Sequence, residues 1–328
     1  MSNDARLRGV FALFAALVLA IGVAACGDDD DDGSNSGDSG GSGSLIESND
    51  ANSGVNVTVG SKNFTEQFIL GEVYSQALAA AGYTVKTDLN LGSEQEALAA
   101  LESGAISGYP EYTSTALTSF FGLAPEDVPS DPAQATSDSQ AEFEKKGLVA
   151  FEPAPFNSAN AVGLLKETAD ELGVTTVSDL EGKSEDLTLF GSPECRQRVD
   201  CLVGLQEGYG LQFAKFTPVD IAQRYPVLDD GQADLSILFT TDPQLSTQSD
   251  TYVILDDDQG VFPAGNPVFV ASQDVVDQAG PDFQSTIETV QQGLTLETMQ
   301  ELNARVDLDK EQPAAVATQY LQAEGYIE

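Results

Sequence analysis

The chain contains no histidine, and only 14 lysines and arginines stand against 53 aspartates and glutamates in its 328 residues, for a formal net charge of −39. Without an imidazole, the Ser–His and Cys–His nucleophile pairs of hydrolases are excluded. A surface this acidic repels a phosphate backbone, which argues against a nucleic-acid partner. It attracts cations instead, and it remains soluble in strong salt, where screening weakens self-repulsion. Carboxylates are numerous, so composition alone leaves acid–base catalysis by a carboxylate pair open.

Cysteine is almost as scarce, with three in the chain. Cys26 ends an uncharged run of 17 residues, 9–25, which Arg6 and Arg8 precede and five consecutive aspartates follow. A basic start, a short apolar segment and small residues before a cysteine form the pattern of an export signal. Val23-Ala24-Ala25-Cys26 resembles the bacterial lipobox, whose cysteine is diacylated and becomes the mature N-terminus. The competing reading is a marginal membrane anchor, since 17 helical residues barely span the roughly 30 Å hydrocarbon core. Loss of residues 1–25, with Arg6, Arg8 and Asp4, leaves 12 basic against 52 acidic residues, a net of −40.

From Gly27 to Gly54 the chain is almost wholly Gly, Ser, Asp and Asn, a composition with too little apolar surface to offset ordering entropy. Residues 26–54 are therefore expected to form a flexible tether. Asp28, Asp30, Asp32 and Gly33 mimic the opening of a calcium loop, but Ser39 stands where a bidentate Glu is needed. The remaining cysteines, Cys195 and Cys201, are six positions apart, close enough to be bridged in an exported protein. Two free core thiols are the alternative, which the polar segment between them disfavours. Two thiols without histidine make a poor zinc site, and no metal or cofactor is expected.

The ordered part, residues 55–328, is long for one core and comfortable for two lobes. Residues 55–59 alternate as a strand. Phe68, Ile69, Val73, Tyr74, Ala77, Leu78 and Ala81 then recur at helical spacing as far as Gly82. Further strands are expected at 83–89 and 106–109, with helices at 94–102 and after Tyr112. A second series follows, with apolar runs at 161–165, 187–191 and 235–239 and helices about 199–207 and 220–230. Pro263, Gly265 and Pro267 break the pattern before a strand at 268–271, and three helices, about 281–291, 296–306 and 313–324, finish the chain. Strands alternating with helices at this spacing predict an α/β fold with parallel sheets.

Gly60-Ser61-Lys62-Asn63-Phe64-Thr65-Glu66-Gln67, followed by Tyr109-Pro110-Glu111-Tyr112-Thr113-Ser114-Thr115, resembles the substrate-binding lipoproteins of osmoprotectant ABC importers, which capture glycine betaine, choline or carnitine. Phe190-Gly191-Ser192-Pro193-Glu194-Cys195, Phe239-Thr240-Thr241-Asp242 and Leu255-Asp256-Asp257-Asp258-Gln259-Gly260 extend the resemblance in the same order. It implies a two-lobed periplasmic-binding-protein-like fold of type II. Lobe 1 would be 55–157 plus 262–328, lobe 2 would be 158–261, and the ligand would sit between them. It also implies a monomer that performs no chemistry, is anchored through Cys26 to the outer face of the cytoplasmic membrane, and delivers its solute to a membrane permease.

A betaine presents a carboxylate and a quaternary ammonium that cannot donate hydrogen bonds, so it needs donors at one end and aromatic faces at the other. The resemblance puts Lys62, Thr115 and Arg198 at the carboxylate. Their alternatives are a solvated loop lysine, a helix cap and a surface arginine. At the ammonium end the matching positions are Tyr112, Asn160, Phe239 and about Gly265, of which only two are aromatic. Asn160 would suit a ligand with a polar group there, and Phe239 could instead be a core aromatic at a strand end. Two other classes remain beside this one: a secreted two-lobed enzyme using paired carboxylates, and a surface adhesion lipoprotein, which would need an exposed apolar patch.

Overall fold

The computed structural model describes residues 44–328. Cys26, the export segment 1–25 and the tether up to residue 43 lie outside the described residues.

Alternation in β1 (Asn56–Gly60) buries Val57 and Val59, and the chain continues into α1 (Thr65–Ala80). Gly82, at φ 99°, then turns it away in a conformation that side chains disfavour. β2 (Thr84–Asp88) leads to α2 (Glu94–Glu102), which is opened by a capping box between Ser93 and Glu96. β3 (Gly108–Tyr112) and β4 (Leu148–Ala150) complete the first stretch. The middle of the chain builds β5 (Asn160–Leu165), β6 (Thr188–Gly191), β7 (Lys215–Pro218), β8 (Leu235–Phe239) and β9 (Tyr252–Ile254). β10 (Pro267–Ser272) returns to the first sheet.

The two sheets share one plan. The first is ordered β2-β1-β3-β10-β4 and the second β7-β6-β8-β5-β9. In each, three strands are parallel, as the spacing predicts, but β10 runs antiparallel to β3 and β4, and β5 antiparallel to β8 and β9. The sheets are therefore mixed rather than parallel. The cause is that β5 and β10 are the strands the chain enters directly after crossing from the other lobe. The two crossings pair with each other: the Ser158 and Gly265 amides each donate to the other's carbonyl at 2.9 Å. Each lobe has its own core. Phe269 of β10 packs edge-on to Tyr74 of α1 at 5.2 Å, while Val162, Leu189 and Leu235 are fully buried in the second lobe.

Two local expectations are corrected. The helix expected at 220–230 is two short turns, Ile221–Gln223 and Pro226–Asp229, because Pro226 has no amide to continue the ladder. Residues 44–54, expected to belong to the tether, are docked on the first lobe. Leu45 and Ile46 donate their amides to Gly325 and Tyr326, Ile46 is buried, and Asn52 donates from its side chain to the Ala81 carbonyl at 2.9 Å. Average composition misses this strap because one buried isoleucine, one asparagine and two backbone amides dock it.

Cys195 and Cys201 form a disulfide with Cα atoms 5.2 Å apart. Both sulfur-bearing residues are buried, while Arg196 and Gln197 between them are exposed, so a polar connecting sequence and a packed bridge coexist. Replacing both cysteines with serine should lower unfolding free energy by about 2 kcal/mol, the expected loop-closure contribution for so short a loop. Denaturant titration of the oxidised and variant proteins measures it.

Candidate functional site

A cleft with about 870 Å³ of empty space, its open mouth included, runs between the two sheets, and all six residues singled out from the sequence line it. They arrive from separate elements. Lys62 follows β1, Tyr112 ends β3, Thr115 lies in the turn of helix after it, Asn160 begins β5, Arg198 follows the turn that closes β6, and Phe239 ends β8. Ends of strands from both sheets thus meet across one gap, the usual place for a ligand in open α/β sheets.

Lys62 is not a solvated loop lysine. It is buried, its ammonium pairs with the carboxylate of fully buried Glu111, and it stands 4.6 Å from the centre of the Tyr112 ring. Glu111 also accepts the Tyr112 amide at 2.8 Å and the Tyr109 hydroxyl at 3.0 Å. Arg198 is no surface arginine either. Its Nε and Nη2 donate to the two oxygens of Asp200 at 2.7 and 2.5 Å, and its Nη1 lies 3.5 Å from Glu94, which comes from the first lobe. Burial opposes the charge on Arg198, but Asp200 and then Glu94 outweigh it and hold the guanidinium protonated. Thr115 is buried in the cleft wall, and no side-chain cap is made at that helix start, so the capping alternative does not describe it.

Asn160 lines the cleft and also makes a contact that the sequence did not suggest. Its amide donates to the Asp200 carbonyl at 3.0 Å, so it fastens the disulfide-closed loop that carries Arg198. Gly265 cannot carry a ring, since a Cβ there would lie 2.3 Å from the Ser114 hydroxyl oxygen and 2.7 Å from its amide nitrogen. The crossing itself occupies that corner.

Two residues that sequence reasoning passed over complete the wall. Phe64 sits 5.1 Å from Phe239 and 6.3 Å from Tyr112, ring centre to ring centre, giving the cleft three aromatic faces. It stands inside the Gly60–Gln67 motif, two residues from Lys62, and only its place in a loop concealed it. Arg224 donates twice to Asp242, at 2.9 and 2.6 Å, reaches Asp307 of the first lobe at 3.4 Å, and lies 5.2 Å from the Phe239 ring centre. The scarcity of basic residues was its available signal, but no recognisable motif surrounds it. Burial opposes its charge as well, and Asp242 outweighs burial.

The arrangement offers cations, hydroxyls and ring faces, the groups that hold a small charged ligand. The lobes are bridged around it by Arg198 to Glu94, Arg224 to Asp307, and the Asn303 amide donating to the Thr241 carbonyl at 3.3 Å.

Comparison with known proteins agrees. Residues 55–323 match the family described as the substrate binding domain of ABC-type glycine betaine transport system. A glycine-betaine-binding protein of Pseudomonas aeruginosa is 34% identical over 274 residues, covering 80% of this chain and 86% of that protein. A carnitine transport binding protein of Listeria monocytogenes is 25% identical over 276 residues, covering 83% and 88%. A solved glycine betaine/carnitine/choline ABC transporter structure superposes with a TM-score of 0.64 at 27% identity, covering 83% of this chain and all of that one. The chain therefore belongs to the family of substrate-binding domains of ABC-type glycine betaine transport systems, and it is a binding protein rather than an enzyme.

Proposed function

We propose that the cleft captures a glycine betaine-like zwitterion or quaternary amine for import by an ABC permease. One observation carries this reading: the three rings of Phe64, Tyr112 and Phe239 share a cleft with Lys62, Thr115 and Arg198. A trimethylammonium group gains from ring faces and needs no hydrogen-bond acceptor, while a carboxylate needs the cations and the hydroxyl. In this reading Asn160 serves the ligand indirectly, by holding the Arg198 loop. Phe64 takes the place of the rings that Asn160 and Gly265 do not supply. The relatives named for glycine betaine and carnitine point to the same ligand class.

The protein works on the extracytoplasmic side, as substrate-binding proteins of importers do. We assign Cys26 as the lipid attachment point and residues 26–43 as the leash by which a monomer is kept beside its permease. No helix among the described residues is long and apolar enough to cross a membrane. An effective concentration set by a leash of this length replaces diffusion to the membrane.

Calorimetry with glycine betaine, choline, carnitine and a panel of amino acids tests the ligand class. Binding of at least one of the first three is expected; binding of amino acids alone overturns the reading. Phe64→Leu should weaken binding of a quaternary amine about fivefold, the loss of roughly 1 kcal/mol of cation–π attraction, with thermal stability nearly unchanged. For the anchor, Cys26→Ser expressed with its signal should leave the protein in the soluble fraction, whereas the native chain partitions with membranes. Equal partitioning of the two would remove Cys26 from the assignment.

A further inference from the structure

Five carboxylates are buried around the cleft, and four of them face a cation of the protein. Glu111 has Lys62, Asp200 and Glu94 share Arg198, and Asp242 has Arg224. Glu66, 3% exposed in the first turn of α1, is the exception, and none of the ion pairs among the described residues includes it. Its two oxygens accept from neutral groups only: the Tyr112 hydroxyl at 2.6 Å and the Asn303 amide at 3.1 Å. Donors on both oxygens suit the ionised acid, and so does the N-terminus of α1. A buried carboxylate with donors but no counter-ion is costly to hold.

The place of Glu66 suggests what completes it. It does not line the cleft. It stands at the far end of the Tyr112 ring, whose face does. A phenol that donates to a carboxylate is fixed in orientation, and its ring gains electron density, which strengthens attraction to a cation on the face.

Resting on the ligand class proposed above, we propose that Glu66 is a specificity-determining residue: acting through the Tyr112 ring, its unpaired negative charge makes the cleft prefer a positively charged headgroup over a neutral one of the same shape. Glu66 positions and enriches the ring without touching the ligand, and the bound ammonium adds to the Lys62 ammonium that already stands 4.6 Å from the ring centre.

The ionisation of Glu66 is contested locally. Burial raises its pKa, donation from Tyr112, Thr241 and Asn303 lowers it, and the negative charge of Asp242 raises it, with a raised value as the outcome. The other titratable groups that face it are the hydroxyls of Tyr112 and Tyr74, both pushed up by burial and then by Glu66 itself. Lys62, 4.6 Å from the Tyr112 ring centre, is engaged by Glu111, and Arg224 by Asp242. A cationic ligand favours the ionised form, so affinity for it should rise with pH through the titration of Glu66 and fall on acidification.

The test compares glycine betaine with 3,3-dimethylbutanoate, its isostere in which carbon replaces the charged nitrogen, on the native chain and on Glu66→Gln. The glutamine keeps an acceptor for the Tyr112 hydroxyl and removes the charge. Glycine betaine affinity should fall roughly tenfold, the scale of a charge interaction across a partly screened interior, while the affinity for 3,3-dimethylbutanoate, an anion whose headgroup is uncharged, does not fall. The native protein should lose betaine affinity on acidification from neutral pH, and Glu66→Gln should lose clearly less. Equal losses for both ligands, or an unchanged betaine affinity and pH profile in the variant, would overturn the inference while leaving the ligand class standing. No binding of any quaternary amine by the native chain would remove both.

Discussion

A charge withdrawn from water must meet its opposite, and the cleft is organised by that requirement. Lys62, Arg198 and Arg224 are the cations of its wall among the described residues, and each is met by a buried acid on its own lobe. Two of them also reach an acid on the opposite lobe, Arg198 to Glu94 and Arg224 to Asp307. Pairs of this kind add little net stability, since desolvation offsets most of the attraction, but breaking one leaves a stranded charge. They therefore fix geometry. Strand ends and the disulfide-closed loop are held where these pairs need them.

The same arrangement shapes how a ligand carboxylate is received. In the proposed reading it enters a site whose donors are already engaged, so it would exchange partners with Asp200 or Glu111 instead of filling an empty fork. Such exchange costs less desolvation of the protein than baring a guanidinium to water between ligands would. It also couples occupancy to the contacts between the lobes, because Glu94 lies on the third nitrogen of the guanidinium that Asp200 holds. In the proposed reading, hinge closure about the paired crossings at Ser158 and Gly265 would be the motion on which that coupling acts.

Much of this was legible from the chain itself. Alternation at Val57 and Val59, helical spacing from Phe68 to Ala81 and the Pro/Gly break near Pro263 give the strand, the helix and the return crossing. Lys62, Tyr112 and Arg198 could be singled out because each stands in a run of recognisable residues. What could not be read was pairing across the fold. Nothing local to Asn160 tells that its amide meets a carbonyl 40 positions later, and nothing local to Gly265 tells that Ser114 fills the space beside it. Phe64 and Arg224 were missed for the same reason, since a ring in a loop and an arginine before Tyr225 acquire meaning only from Phe239 and Asp242. Reversal of β5 and β10 is likewise a property of where the chain comes from, which periodicity does not record.

The strap from Ser44 to Gly54 docks wholly on the first lobe, against Ala81, Gly325 and Tyr326. Mechanical load arriving from the residues before it enters there and is borne by the body built from the two ends of the chain. The crossings at Ser158 and Gly265 lie off that line of force. If the proposed anchor holds, a pull through these residues would load the first lobe alone and leave the second free of it.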